Sequence, residues 1–354
     1  MALEARLKPI VGNWAGGASF FDRVDETADL VRRLEAGASV SLAAPRRVGK
    51  TSLLREVARQ LDAKMTCIFV DLEDIGTPED AIAEIAEKAE RHRAVRSRVR
   101  AWAAALIGNA ELDLQFVRTH LRDVVRADWQ TRGNRLIAEL CQTEQPVVLF
   151  LDELPVLVAG LLDGSGTGGG RNPADLFLSW LRRLTQEHPD KLRIVVTGSI
   201  GLAPMVARAG LSSTLNVYQP MRLGPWSHDT AVAALLALSA YAGLGMSEAV
   251  AGSVLDHLGI GVPFHVQLVH QTITDDARRR KATLVTEADV DRAWREVARE
   301  LAKDLPDPLD AARAVLATLE HDGYLGRGDA GWYFPNRLLH AWWADQYGSF
   351  GIDE

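Results

Sequence analysis

Four short runs of consecutive apolar residues alternate with longer stretches whose apolar positions recur every three or four residues. That alternation predicts an α/β domain on a parallel sheet, with helices between the strands. The predicted strands are Ser39–Ala44, Thr66–Asp71, Pro146–Asp152 and Leu192–Thr197. Their near-continuous apolarity predicts burial on both faces, so helices should cover both sides of the sheet. A helix is predicted over Lys50–Leu61, directly after the first strand, and a long helical insertion over 76–143. Residues 228–302 carry only helix-period patterns, broken at 243–245 and 259–263. Asp304-Leu-Pro-Asp-Pro308 reads as a linker. Beyond it, a helix (310–321), a hairpin with strands at 324–325 and 332–334, and a last helix (336–347) outline a winged helix. The expected organisation is therefore an α/β domain over 1–222, a helical domain over 223–303 and a winged-helix-like domain over 304–354. The segment 163–170, rich in glycine, is expected to be a mobile loop.

Composition narrows the function classes. A chain of 354 residues, 47% of them hydrophobic, has room for two or three domains and a sizeable core. The 40 basic residues are outnumbered by 47 acidic ones, which argues against coating nucleic acid through bulk charge. Cys67 and Cys141 are too far apart and too few for a metal quartet or disulfide framework, and both are expected to be buried reduced thiols. No apolar signal core begins the chain, and no uncharged apolar run is long enough for a bilayer. A cytoplasmic protein with no membrane partner is expected.

The sharpest chemical signal is Ala44-Pro45-Arg46-Arg47-Val48-Gly49-Lys50-Thr51, set between a buried strand and a helix. It fits the phosphate-binding loop pattern except that Ala44 stands at the first glycine. Backbone N–H groups of such a loop and of the following helix N-terminus point at phosphate, and the helix dipole favours negative charge there. Lys50 is placed to reach β- and γ-phosphates and the Thr51 hydroxyl to ligate Mg²⁺. Gly49 lets the backbone approach closely. The second signal is Val147-Val-Leu-Phe-Leu-Asp152-Glu153, an apolar strand delivering two adjacent carboxylates at its end. Asp152 is the candidate for holding Mg²⁺, and Glu153 for polarising an attacking water. A nucleotide, ATP or ADP with Mg²⁺, is the expected cofactor.

These motifs occur in order with Phe20-Phe-Asp-Arg23-Val-Asp-Glu26, the continuation Ser52-Leu-Leu54, Phe177–Arg182 and Val196-Thr-Gly-Ser-Ile-Gly-Leu202. Together they resemble the archaeal-type P-loop ATPases of prokaryotes, in the AAA+/STAND branch of additional-strand NTPases. The resemblance implies that Phe21, Arg23 and Glu26 shape an adenine pocket, with Asp22 standing where glycine is usual. It implies that Thr197 and Ser199 occupy a polar sensor position, that Ser52 belongs to the nucleotide-binding set, and that Gly261-Val-Pro263 is the turn by which a lid closes on the nucleotide. An arginine acting on the γ-phosphate is typical of the class. Arg182 is the favoured candidate, with Arg183 and Arg171 behind it, while Arg46 and Arg47 could contact phosphate or a neighbouring subunit.

The implied activity is an ATPase acting as a conformational switch on a protein partner, with self-association a further expectation. A nucleotide-gated scaffold that barely hydrolyses is one alternative and a DNA-associated ATPase another. The last 51 residues weigh against DNA, because three arginines face nine carboxylates there. If nucleic acid is touched, the better surface is the run Arg91–Arg100, where Arg93, Arg96 and Arg100 are expected on one helical face.

Overall fold

The structure, a computed structural model, describes residues 7–12, 14–107, 125, 128–163, 172–198, 202–301, 326–328 and 331–334. They divide into two compact units. One is formed from Asp25–Ala43 and Val57–Arg222, the other from Met1–Val24, Ala44–Glu56 and Leu223–Glu354.

The first unit is built on a parallel sheet of β1 (Ser39–Ala43), β2 (Thr66–Asp71), β3 (Val147–Asp152), β4 (Leu192–Gly198) and β5 (Tyr218–Arg222), in the order β2-β3-β4-β1-β5. β3 is buried from Val147 to Leu151, as its unbroken apolar run requires. Register sets the functional edge. Asp71 lies opposite Asp152, Leu42 opposite Thr197 and Ala43 opposite Gly198, so the carboxyl ends finish level with one another. In open α/β sheets that edge is where ligands bind. The strands alternate with α1 (Val24–Glu35), α2 (Lys50–Leu61), α3 (Pro78–Glu90), α4 (Arg96–Ile107), α5 (Trp129–Cys141), α6 (Leu154–Asp163), α7 (Pro173–Glu187) and α8 (Leu202–Arg208). Local chemistry sets the ends of these helices. Thr77 caps α3 by accepting the Asp80 N–H at 3.2 Å, with Pro78 opening the first turn. Acids fill the first turn of α1 and arginines its last, matching the helix dipole.

Two sequence expectations change here. β5 is a fifth strand that the apolar pattern missed. It is an edge strand with only Tyr218 and Met221 buried, and it carries Pro220, which an edge tolerates. The arginine face also differs. α4 begins at Arg96, so Arg93 lies in the turn before it, and Arg96 and Arg100 both pair with the buried Glu90. Arg91 pairs with Glu87, and Arg98 donates to Gln142. The run is a braced helix junction, its charge largely met by neighbouring acids.

Gly198, at the end of β4, shows how tightly the edge is packed. A Cβ there would sit 2.3 Å from the rigid ring of Pro155 in α6. Gly198→Ala is expected to cost about 1–3 kcal/mol through overpacking, read as a lower midpoint in urea unfolding.

Among the described residues, the second unit contains the helices α9 (His228–Ala242), α10 (Glu248–Leu258), α11 (Pro263–Arg280) and α12 (Glu287–Leu301). Ser227 and Ser247 cap α9 and α10, and α9 ends on Gly243 at φ +72°. The pattern over 228–302 predicted helices with breaks at 243–245 and 259–263, and missed the third break, between Arg280 and Glu287. Their core gathers Leu235, Leu238, Val254, Val266 and Ile273. The N-terminal segment is tied to them, since the Leu7 N–H donates to the Ala237 carbonyl at 3.1 Å and the Ile10 N–H to Gln267 Oε1 at 2.9 Å. Near the chain's end, β6 (Gly326–Gly328) and β7 (Gly331–Tyr333) form an antiparallel pair. The first hairpin strand thus uses residues assigned by sequence to the turn. The helices expected at 310–321 and 336–347, and the glycine-rich stretch from 164 to 171 with Arg171, lie outside the described residues. No helix among the described residues is long and apolar enough to cross a membrane.

Candidate functional site

Within the second unit, the chain at Ala44 continues directly from the carboxyl end of β1 and forms the loop that leads into α2. Its backbone is unusual in a specific way. Among residues 44–50, φ is positive at Arg47 (+70°) and Gly49 (+95°) and not at the residues between and beside them. Alternation of this kind turns successive N–H groups to one side and makes an anion-binding concavity. A Cβ on Gly49 would meet nothing within 4 Å, so glycine is needed for its φ rather than for space. Ala44 and Val48 are buried, Pro45 half-buried and Arg46 exposed. Lys50, the first residue of α2, is only 8% exposed, so its charge is held in a sheltered place at a helix N-terminus. Thr51 follows it in the first turn. Ser52 is engaged elsewhere, because its Oγ accepts the Ala15 N–H at 2.8 Å.

The segment before α1 braces this loop. Asp22 and Arg23 both adopt positive φ, +59° and +65°. Aspartate is one of the few residues that tolerate this left-handed region. The turn aims the buried Arg23 inward, where Nη2 donates to the carbonyls of Val48 (3.3 Å) and Gly224 (2.6 Å). Phe21 meets Trp226 edge-on, with centroids 5.8 Å apart. Trp226 in turn pairs with Gly261, its N–H donating to the Gly261 carbonyl at 2.9 Å. A Cβ on Gly261 would lie 2.8 Å from the Trp226 carbonyl oxygen, so the first residue of the Gly-Val-Pro turn must be glycine. Pro263 opens α11, and Phe264 places its ring 4.2 Å from the guanidinium carbon of Arg47.

In the sheet unit, Asp152 ends β3. Its Oδ1 accepts from the Glu153 N–H at 3.1 Å and from the hydroxyl of Thr197, which is buried at the end of β4. Thr197 therefore orients a carboxylate. Glu153 has φ +54°, a strained conformation for a glutamate, and leads directly into α6. Arg182, on α7, donates from Nη1 to the Ser213 carbonyl at 3.2 Å. Arg183 pairs with Glu187. Ser199 lies outside the described residues.

Sequence reasoning missed Trp226, Phe264 and the attachment of Thr197 to Asp152. Trp226 follows an unrecognised strand and carries no motif signal. Phe264 is the residue after the Gly-Val-Pro turn, and its position there was the available clue.

A parallel sheet whose first strand runs into a Gly-Lys-Thr loop and helix, with paired carboxylates ending another strand at the same edge, defines a P-loop nucleotide-binding protein. Residues 40–209 match the ATPase family associated with various cellular activities (AAA). Over those residues the chain is similar to AAA-type ATPase domains; it is an ATPase, and its cofactors are ATP or ADP and Mg²⁺. No curated protein matches the chain. Solved structures share the fold at low identity. The Walker-type ATPase PABY2304 of Pyrococcus abyssi is 17% identical, with TM-score 0.61 over 96% of this chain and 99% of that one. The ORC2 protein of Aeropyrum pernix, solved as ADPNP–ADP complexes, is 12% identical, with TM-score 0.57 over 94% of this chain and 95% of that one. A chain of Drosophila ORC bound to DNA is 14% identical, with TM-score 0.51 over 81% of this chain and 65% of that one.

Proposed function

We propose that this protein is an ATP-driven conformational switch of the AAA+/STAND kind, in which nucleotide state is passed through a lid (223–303) and a winged-helix-like domain (304–354) to a protein partner. The observation that carries the reading is the left-handed loop at 44–49 leading into Lys50 and Thr51, in a chain whose β3 ends on Asp152 and Glu153.

The residues present fit the cofactor. The loop offers N–H donors and a sheltered ammonium for phosphate, while a hydroxyl and a carboxylate are the hard oxygen ligands that Mg²⁺ takes. When bound, ATP and its cation supply the phosphoanhydride and the charge that compensates it. Lys50 and the loop amides bind the phosphates. Thr51 and Asp152 hold the cation, Asp152 already oriented by the Thr197 hydroxyl. Glu153 takes a proton from the attacking water onto its carboxylate oxygen. Phe21 and Arg23 shape the base pocket, Arg23 doing so through the two carbonyls it clasps. Ser199 and Pro263 complete the nucleotide-binding set. Arg182 serves as the arginine finger, which requires it to leave the Ser213 carbonyl it now holds. The protein acts in the cytoplasm.

The switch is tested by hydrogen exchange over the helices 228–301, with ADP and with a non-hydrolysable ATP analogue. Different protection in the two states is expected, and identical protection sinks the switch. The DNA-associated alternative draws on the basic run at 91–100. The ion pairs of Arg91, Arg96 and Arg100 weaken it. It predicts turnover stimulated by duplex DNA with a steep salt dependence.

A further inference from the structure

The loop residue Arg47 raises a physical question that the nucleotide site leaves open. A non-glycine residue at φ +70° is strained relative to ordinary backbone. Something must hold it there, since the concavity of the loop depends on that conformation. Arg46, its neighbour, shows no such backbone.

The structure supplies a holder from the lid. Pro263 fixes the start of α11, and the next residue, Phe264, meets Arg47 twice. Its N–H donates to the Arg47 carbonyl at 3.4 Å, and its ring lies under the guanidinium at 4.2 Å. Both groups belong to the same compact unit. The next side chain, His265, packs edge-on against Phe264 at 5.7 Å. Burial, and after it the charge of Arg47, pushes the His265 imidazole down to about 4, so near neutrality it adds no positive charge beside the guanidinium.

We infer that Phe264 is a positioning residue for the phosphate loop: it clamps Arg47 in the left-handed conformation that shapes the anion concavity, and so ties nucleotide binding at the loop to the first turn of lid helix α11. The inference rests on the nucleotide-binding reading and deepens it. It gives Arg47 a task other than phosphate contact. It also names the joint through which loop and lid respond together. Apparent affinity for a ligand falls in proportion to the fraction of protein in the binding-competent conformation. Without the clamp, the loop relaxes toward ordinary φ, and the nucleotide must restore it on binding.

The test is a thermodynamic cycle on the full chain, with ADP and ATP analogue dissociation constants and thermal midpoints measured for each variant. Phe264→Leu keeps an apolar side chain of similar size and removes the aromatic face. Nucleotide binding is expected to weaken about fivefold, the upper end for a cation–π contact of an exposed guanidinium. Phe264→Tyr, which keeps the face, is expected to restore wild-type affinity. Arg47→Met removes the cation, and with it the ring contact that holds the left-handed backbone, while leaving a long side chain at the position. It should weaken binding by a similar factor, and the double variant should be no worse than either single one. Additive losses in the double variant would place Arg47 on the phosphate and overturn the clamp. Equal nucleotide affinity in wild type and Phe264→Leu, with only a lowered thermal midpoint, would reduce Phe264 to packing and overturn it too. A wild-type chain that binds no nucleotide removes the underlying reading, and the clamp with it.

Discussion

Lys50→Ala brings ATP turnover down to background, a loss of about 10²–10³-fold in kcat, the scale on which one preorganised electrostatic donor acts. The expectation follows from where the ammonium is held. Lys50 is 8% exposed, at the first position of α2, immediately after a loop whose φ values at Arg47 and Gly49 turn N–H groups to one side. In that sheltered position a charge acts through a lower effective dielectric than it would in water, so its removal is felt strongly. Alanine is the best helix former, and α2 keeps its apolar contacts through the buried Leu53, Leu54 and Val57. The variant should therefore fold as the wild type does, and circular dichroism and a thermal melt check this beside the turnover assay. Nucleotide affinity should fall along with kcat, because the same ammonium is asked to hold the ground state. Lys50→Arg is not a rescue: a planar fork does not replace a compact point charge on a flexible stem. Equal rates in Lys50→Ala and wild type would mean that the loop is not the catalytic phosphate site.

How much of this was legible in the sequence depends on how local the signal was. β1, α2 and β3 were readable because a doubly buried strand has to be continuously apolar, and because Gly-Lys-Thr between a strand and a helix has few other uses. β5 was not readable. An edge strand buries one face only, and Tyr218 and Met221 with an intervening proline look like a loop until β1 is seen beside them. The arginine run was misread because helical periodicity was extended backward through Arg93, whereas the chain turns at 91–95 and brings Glu90 to both Arg96 and Arg100. Asp22 shows the reverse case. The resemblance puts glycine there; aspartate adopts the left-handed turn all the same, and Arg23 reaches the carbonyls of Val48 and Gly224 because of it. Partners more than 150 positions apart, such as Arg23 with Gly224 or Arg47 with Phe264, leave no trace in periodicity.

Glu153→Gln separates catalysis from binding, which Lys50→Ala cannot do. Glutamine matches glutamate in shape and tolerates the same backbone about as well, so the strained φ of +54° between β3 and α6 is neither relieved nor worsened. The Glu153 N–H to Asp152 Oδ1 hydrogen bond is a backbone contact and survives, as does the Thr197 bond to the same oxygen. The Asp152 carboxylate therefore stays oriented, and only the proposed proton acceptor is lost. Turnover is expected to fall about 10²–10⁴-fold, the usual contribution of a general base, with nucleotide affinity within about twofold of wild type. Single-turnover hydrolysis alongside equilibrium binding reads both quantities. The pair of variants then decides between two accounts of the protein. If wild type turns over ATP and Glu153→Gln holds it without hydrolysis, the chain is a switch whose energy comes from hydrolysis, and the variant is its trapped ATP state. If wild type and Glu153→Gln retain nucleotide equally and neither turns it over, Glu153 has no work to do in the isolated chain, and the nucleotide acts as a structural gate until a partner arrives. A Glu153→Gln protein that hydrolyses ATP at the wild-type rate rules out this carboxylate as the base, since no proton can be accepted by the amide that replaces it.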